Sequence, residues 1–469
     1  MMTPNVAAPA LRIPTPDALV EHPEYRRQLD WLYSLSPEVR PAVEIVADKP
    51  RKVPRTQALL RALGDPQAAF TSLLVAGTKG KGSTAAMIES MLRAAGHRTG
   101  LYTQPHLHSW CERTRVGGAP IDHTTAADVI AEARGATERL MRDRPELGQP
   151  TTFEVGTACT MLAFARLGVT SAVVEVGVGG AHDATNALEP VLVALAPVSY
   201  DHMATLGSTL EAIATEKAGL FRPGGRAVVG LQAEEAWLAI QRIAAERGTR
   251  VEALGREWTW EPADARPASG RFHLRGPGLE LRDLEIPLLG RHQRDNAALA
   301  VAALHGLERP AFAVDAAAIR KGLAAVDWPG RAQVVGTRPW IVVDGAHNAD
   351  SAQRLVDTVR ECFAAPRRHL VIGASAGKDV AGMLDALLPL ADSVTVTQSH
   401  HGRALAATVL ASLVETRGAR PRCEPRIGEA IDGAVADARR DDLVVVTGSL
   451  FLVAEAIEHF ALPNGRDDG

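Results

Sequence analysis

Short runs of β-branched and apolar residues alternate along this chain with Ala- and Leu-rich stretches. This constrains the fold more than any other feature, because a parallel sheet covered on both faces needs near-continuous apolar strands and a helix to return the chain between them. TSLLVAG (71–77), SAVVEVGVGG (171–180) and VLVALAPVS (191–199) read as such strands. Between them, STAAMIESMLRAAGH (83–97) has a serine N-cap and a stop at Gly96, and TACTMLAFARLG (157–168) also stops at a glycine, so both predict helices. Residues 250–286 break the pattern. Trp258, Trp260 and Phe272 lie there among Arg and Glu in short alternating runs, which predicts a small antiparallel excursion. Ala-rich helical stretches at 295–306 and 314–325 lead to Pro329-Gly330-Arg331, and a fresh set of strands follows: IVVDGAHN (341–348), HLVIGAS (369–375), SVTVTQS (393–399) and LVVVTGS (443–449). The expected organisation is an α/β chain with a larger domain over 21–328, a smaller one over 329–469, and a mobile tail over 1–20, where four prolines break the sequence.

Composition removes several function classes. The 469 residues are 46% hydrophobic and 23% charged, without an apolar run long enough to cross a bilayer. A net charge of −4 provides no global field for nucleic acid, so neither a membrane nor a nucleic-acid partner is expected. Cys111, Cys159, Cys362 and Cys423 are scattered without C-x-x-C spacing, which argues against a disulfide scaffold and fits a reducing cytoplasm. The N-terminus lacks a basic segment ahead of an apolar block and does not read as a signal peptide.

The chemistry concentrates at strand ends. GTKGKGS (77–83) lies between a strand and a helix, the arrangement that aims backbone N–H groups and a helix N-terminus at a polyphosphate, with Lys81 as the point charge. The usual G-x-x-x-x-G-K-[ST] pattern fails at Val75 and at Gly82, so a metal that the Ser or Thr would hold must find other ligands. Glu175 ends an apolar strand, where a buried carboxylate needs compensation, and the next strand delivers Asp201 and His202 to its own carboxyl end. Glu175 and His202 can then face one hard cation, a reading favoured over a structural ion pair for the first and a satisfied loop histidine for the second. Spacing alone favours Lys217 as a solvated helical lysine paired with Glu216 or Glu211.

Taken in order, VAGTKGKGS (75–83), LYTQPHLHSWCERTRVGG (101–118), EVGVGGAHDATN (175–186), DHMATLGSTLEAIATEKAG (201–219), LLGRHQRDNAALA (288–300), WPGR (328–331) and VDGAHN (343–348) resemble the dihydrofolate synthase/folylpolyglutamate synthase family of the Mur ligase superfamily. The resemblance implies a P-loop ATPase domain, a C-terminal Rossmann-like domain and an active site in the cleft between them. It implies an ATP-dependent amide ligase working through an acyl phosphate, with dihydropteroate or a reduced folate, L-glutamate and ATP as partners, acting as a monomer in the cytoplasm. It further implies two Mg²⁺ ions and a monovalent cation, with Gln104, Glu175, His202 and a carbamoylated Lys217 as metal ligands, and Lys81, Lys217, His202 and Glu175 as the catalytic set. An N-carboxylate at Lys217 would attract the metal that an ammonium repels, which reverses the plainer reading. ATP contacts fall on Gly77, Thr78, Lys79, Gly80, Lys81, Gly82, Ser83, Asn296, Arg331, Asp344 and His347, and the pteroate pocket on Arg55, Thr151, Thr152, Phe153, Glu154, His182 and Asp183. Without the resemblance, Asn296 reads as a helix N-cap, Asp344 as a loop-capping carboxylate and Arg331 as a surface residue.

Three positions depart from the family pattern: Lys79 stands where Asn is usual, Gln104 where a metal-binding Ser is usual, and Ala181-His182 where Arg-Leu is usual. Three other readings compete. A Mur-type ligase could act on a different carboxylate, such as a cell-wall precursor or an amino-acid polymer; DATN (183–186) and TQPHLH (103–108) count against it. A P-loop regulator or transporter ATPase has no use for the VDGAHN turn. A degenerate member without catalysis is opposed by intact Glu175, His202 and Lys217.

Overall fold

The computed structural model describes residues 13–35, 42–263 and 270–461. The larger unit is built on eight strands: β1 (Thr71–Ala76), β2 (Thr99–Tyr102), β3 (Thr114–Val116), β4 (Ala119–Pro120), β5 (Ser171–Glu175), β6 (Val193–Leu195), β7 (Arg226–Val229) and β8 (Arg250–Ala253). They lie in the order β4-β3-β2-β5-β1-β6-β7-β8, parallel from β2 through β8, with β3 and β4 as an antiparallel edge. Val75 pairs with Glu175 and Ala76 with Leu195, so the segments leaving β1, β5 and β6 emerge side by side at the carboxyl edge. This edge is where ligands collect in parallel sheets.

Helices cover both faces, as the near-continuous apolar strands require. Ala42–Ala62 and Thr152–Arg166 close one face over a core that includes Leu59, Phe164 and Val174. Lys81–Ala94, Arg291–Leu304 and Ala316–Ala324 close the other. The antiparallel excursion is present as β9 (Thr259–Pro262), β10 (Arg271–Gly276) and β11 (Leu279–Glu285), but it starts later than expected, because β8 is still a parallel strand of the main sheet. Trp258 and Phe272 bury that small sheet against the core.

The second unit has strands β12 (Gln333–Thr337), β13 (Trp340–Asp344), β14 (Arg368–Ile372), β15 (Ser393–Val396), β16 (Arg422–Cys423) and β17 (Leu443–Thr447) in the order β12-β13-β17-β14-β15-β16, all parallel except β12. The mixed α/β architecture, with a large mostly parallel sheet followed by a smaller C-terminal α/β unit, is the expected fold class. An ion pair between Arg294 and Glu361 ties the two units together.

Local starts and stops differ in instructive ways. The helix expected from 83 begins at Lys81 with Gly80 as its N-cap, because the left-handed φ of 87° at Gly80 turns the chain directly into the helix. The helix expected from 157 begins at Thr152, opened by a reciprocal Thr151/Glu154 capping box. Of the tail expected over 1–20, residues 1–12 lie outside the described residues. Residues 13–20 are packed: Asp17 accepts from Tyr25 Oη, Ser109 Oγ and the Trp110 N–H, and Val20 is buried. No helix among the described residues is long and apolar enough to cross a membrane.

Candidate active site

The loop after β1 is shaped by its glycines and their neighbours. A Cβ on Gly77 would come within 2.7 Å of the Ala196 carbonyl oxygen, and one on Gly80 within 2.2 Å of Asn296 Oδ1. Thr78 and Lys79 donate their amides to the Pro197 carbonyl, and Thr78 Oγ1 exchanges hydrogen bonds with the Ser199 backbone, so the loop is fastened to the segment leaving β6. The N-terminus of the 14-residue helix Lys81–Ala94 then opens onto the cleft with unfilled backbone donors, and Ser83 is buried in its first turn. Lys81 contacts only the Thr78 carbonyl, at 3.4 Å, and has no ion-pair partner among the described residues.

Glu175 lies beside this loop, buried at the end of β5. Burial pushes its carboxyl pKa up, against Lys81, the Gln104 N–H (3.1 Å) and Arg331, which favour the charge. Lys217 is buried as well, and its Nζ donates to the Gly77 carbonyl at 2.8 Å. Burial first, and then the Lys81 charge, bring its pKa down to about 7. The expectation of a solvated lysine paired with Glu216 or Glu211 is therefore overturned: the amine sits against the phosphate loop. Lys79, by contrast, is bound to Asp201 at 3.1 Å. His202 adopts a left-handed φ of 51°, is exposed, and stands 3.8 Å from Asp201; partial desolvation by the surrounding protein, with nearby lysines, lowers its pKa against the pull of Asp201.

The C-terminal unit closes the other side. Arg331 is half-buried in the connecting segment, donates to the Gly330 carbonyl at 3.0 Å, and lies near both Asp344 and Glu175. Asp344 ends β13 and accepts from the amides of Ala332 (2.7 Å) and Ala346 (2.8 Å), one on each oxygen, so it also holds its own turn. His347 Nδ1 bonds the Gly345 carbonyl at 2.9 Å, and burial with Lys79 nearby brings its pKa down to about 4, which keeps the ring neutral. Asn296 is not a helix N-cap: it is buried inside Arg291–Leu304, bonded to Gln293, with its oxygen over Gly80.

The residues expected around a pteroate pocket divide. Arg55 is a correction. It is fully buried in the core, and its Nε, Nη1 and Nη2 bond Glu154, Asp48 and the Leu147 carbonyl. Burial opposes its charge, but the two carboxylates more than offset that and hold its pKa above the ordinary arginine value. Glu154 is likewise consumed by Arg55 and by Thr151, and Thr152 Oγ1 donates to the Leu32 carbonyl. These four therefore build the helix start that supports the site. Phe153 alone of that group faces the cleft: a Cβ on Gly177 would lie 2.7 Å from its Cζ, 2.8 Å from Asp183 Oδ2 and 3.0 Å from Gln104 Nε2. Asp183 is buried and accepts from Val178 N, Thr185 N and Thr185 Oγ1, so it shapes the GVGG turn. Gln104, expected to offer its amide oxygen to metal, meets Glu175 through its main-chain N–H; its Nε2 is buried without a partner beside Gly177. His182 Nδ1 lies 3.1 Å from Glu216, one residue before Lys217, in the wall of a separate cavity of about 510 Å³.

Several contributors escaped the sequence reading. The Trp328 ring covers Gly82, where a Cβ would come within 2.9 Å of the indole and 3.4 Å of Glu175, and this explains why no larger residue follows Lys81. Asp201 holds Lys79 on one side and approaches Asn348 Nδ2, at 3.4 Å, on the other. Arg113 Nε donates to His106 Nδ1 at 2.9 Å. The tryptophan left a usable signal, since WPGR stands at the domain junction, and Asp201 is already placed at a strand end by the sequence, though its pairing with Lys79 is not. Among the described residues no three His, Cys, Asp or Glu side chains converge closely enough to hold a metal by themselves. A magnesium ion that keeps waters and phosphate oxygens needs fewer protein ligands, and buried Glu175, which among the described residues accepts only from the Gln104 N–H, fits that requirement.

The chain matches the Mur ligase middle domain over residues 75–304 and the Mur ligase glutamate ligase domain over 330–450. It is 33% identical over 403 residues to a dihydrofolate synthase/folylpolyglutamate synthase of Bacillus subtilis, covering 86% of this chain and 93% of that one. It is 38% identical over 443 residues to a bifunctional folylpolyglutamate synthase/dihydropteroate synthase of Haloferax volcanii, and spans 92% of its own length but about half, 50%, of that relative's. A solved structure of E. coli FolC in complex with DHPP and ADP superposes with a TM-score of 0.81 at 30% identity, covering 93% of this chain and 98% of that one.

Proposed function

Since the chain belongs to the dihydrofolate synthase/folylpolyglutamate synthase family of Mur-type ligases, we propose that it is an ATP-dependent ligase joining L-glutamate to dihydropteroate and to the glutamyl tail of reduced folates. The observation that carries this reading is the meeting of three elements: the phosphate loop with Lys81, the strand-end carboxylate Glu175, and Arg331 from the junction with the C-terminal unit.

A carboxylate is a poor electrophile. Its oxygen first attacks the γ-phosphorus of ATP, ADP leaves, and an acyl phosphate results. The amine of L-glutamate then adds to the acyl carbon and phosphate departs. The helix N-terminus and Lys81 hold the polyphosphate, and Arg331 offers a rigid fork to the phosphoryl group as its charge moves. Asn296 braces the loop through Gly80, and Asp344 keeps the second wall in place while its remaining lone pairs face a nucleotide ribose. Neutral His347, with Nδ1–H on Gly345, keeps Nε2 as an acceptor suited to the incoming ammonium.

Magnesium bound with the nucleotide, held by Glu175 and His202, would supply neutralisation of phosphate charge. Lys217 suits carbamoylation, because an amine near pH 7 retains the neutral form that adds carbon dioxide, and the resulting carboxylate would serve a second Mg²⁺. A monovalent cation belongs to the same reading. A working monomer belongs to the same reading by resemblance, as does a reducing, cytoplasmic setting, which four cysteines without C-x-x-C spacing suit. Phe153 and Asp183 border the pterin pocket.

The test measures phosphate release from ATP with Mg²⁺ and L-glutamate, with dihydropteroate, with tetrahydrofolate, and with neither, while products are weighed by mass spectrometry. Glutamate-dependent release and a product heavier by one glutamyl unit are expected with each pterin. Release that ignores both pterins would overturn the reading and point to a different carboxylate.

A further inference from the structure

Resting on the ligase reading, we propose that His182 is a positioning residue: through Glu216 it staples the turn GVGGAH (177–182) to the helical turn that carries Lys217, and so holds Lys217 and Glu175 at one working separation. Lys217 stands in the last turn of Leu210–Ala218, a helix of nine residues that is too short to fix its own end. Its amine meets the Gly77 carbonyl because that turn is held from outside. The Ala181 N–H donates to the Glu216 carbonyl at 2.8 Å, and the His182 N–H donates to Glu216 Oε1 at 3.2 Å. His182 Nδ1 adds bonds to the two carboxylate oxygens at 3.1 and 3.2 Å, and since a carboxylate only accepts, the ring proton is on Nδ1. The Glu216 carbonyl lies in the last turn, where a helix leaves its own acceptors unfilled, so the Ala181 bond is a cap as well as a tie. Backbone contact is equally close: a Cβ on Gly180 would lie 2.5 Å from the Glu216 carbonyl oxygen and 2.7 Å from Lys217 Cα, and one on Gly219 would lie 2.4 Å from Ala181 Cβ.

The other end of the turn is anchored at the reaction centre. It leaves β5 just after Glu175, and Asp183 accepts from the Val178 N–H at 3.0 Å. Two groups 42 positions apart in sequence are thereby joined by a path of one short turn and one staple. Arg247 holds the segment that follows the helix, through the carbonyls of Gly219 and Phe221, but the tie to the turn before it is made by Ala181 and His182. The His182 side chain borders the cavity of about 510 Å³ walled also by Thr209, Thr215, Ile243 and Arg247, all from the two helices beyond Lys217. It therefore acts on the reaction through Glu216 and not by touching the reacting atoms. Ala181-His182 stands where Arg-Leu is usual in the family, and a leucine offers no side-chain donor, so the ring bond to Glu216 is a device of this chain.

The experiment compares full-length wild type with His182→Leu, His182→Asn and Glu216→Gln, with melting temperatures to verify folding. Asparagine keeps a donor near the place of Nδ1, and glutamine keeps a neutral acceptor. Two quantities are read: kcat and KM for ATP, dihydropteroate and L-glutamate, and, in bicarbonate-free buffer without substrate or metal, the rate at which acetic anhydride labels Lys217 relative to exposed Lys321, by peptide mass spectrometry. In His182→Leu, kcat should fall about tenfold with each KM within about twofold of wild type, and Lys217 labelling should quicken about fivefold as the amine leaves the Gly77 carbonyl. Glu216→Gln should shift both in the same direction by less, and His182→Asn should restore most of both. A raised KM for dihydropteroate at unchanged kcat would overturn the proposal and make His182 a reader of the pterin. Wild-type kcat in His182→Leu, or unchanged Lys217 labelling there, would also overturn it, and where leucine is not tolerated Glu216→Gln decides in the same way. A wild type that uses neither pterin overturns the ligase reading instead, while the labelling comparison still judges the staple.

Discussion

Arg55 and Arg331 were both candidates for ligand contact, and the structure separates them by what their donors do. Arg55, between Ala42–Ala62 and Thr152–Arg166, bonds two carboxylates and a carbonyl with all three of its nitrogens. Arg331, at the seam between the units, donates to one carbonyl and stands near Asp344 and Glu175 without an ion pair to either. A saturated arginine holds a scaffold together, while an unsaturated one in a cleft is waiting for an anion. The same distinction separates Lys79, paired with Asp201, from Lys81, which has no ion-pair partner among the described residues.

The largest expected effect tests the scaffold side. Arg55→Ala leaves Asp48 and Glu154 buried without their cation and should destabilise the fold by about 3–5 kcal/mol in urea titration, with little change in KM for the folded fraction. A stable variant with a raised pterin KM would return Arg55 to the pocket and break the comparison. On the site side, Glu175→Ala should lower kcat by about 10²–10³ while the melting temperature moves far less than in the Arg55 variant. Turnover near wild type would remove Glu175 from the metal assignment.

The smallest effect is a slope. The folded pKa of Lys217, about 7, lies below its ordinary value of 10.5. Between those values the unfolded chain binds more protons than the folded one, so the stability contribution of this group rises with pH across that window, by at most about 1.4 kcal/mol per pH unit. Lys217→Met should abolish the rise, and its stability difference from wild type should narrow as pH is raised from 7 toward 10. Identical slopes in bicarbonate-free buffer would mean that the amine is not desolvated as the packing indicates.

Much of this was legible beforehand, for physical reasons that differ by residue. The parallel strands were visible because a sheet covered on both faces excludes polar residues from its interior, which also made Glu175 conspicuous at the end of β5. The phosphate loop declared itself through its glycines and lysines. Arg55 was misread because its partners lie 7 and 99 residues away, Asp48 and Glu154, and only tertiary structure reveals that its donors are taken. Lys217 was opaque to spacing for a similar reason: helix periodicity says which side chains share a face, but not that this one ends on the Gly77 carbonyl 140 residues distant. Ser83 misled as a cap because the left-handed glycine before Lys81 turns the chain earlier.

The indole of Trp328 over Gly82 constrains how this protein can change. A hydroxymethyl or methyl group at position 82 must occupy space that the ring already fills, with a Cβ contact at 2.9 Å. A substitution walk toward the commoner phosphate-loop sequence therefore cannot begin at residue 82. It must first shrink residue 328, at the junction between the units, and pass through an intermediate whose junction packing is loosened before its loop is altered. The unusual loop and the junction tryptophan are thus a single heritable trait, separated by 246 positions in sequence and coupled because any Cβ at residue 82 would lie 2.9 Å from the indole.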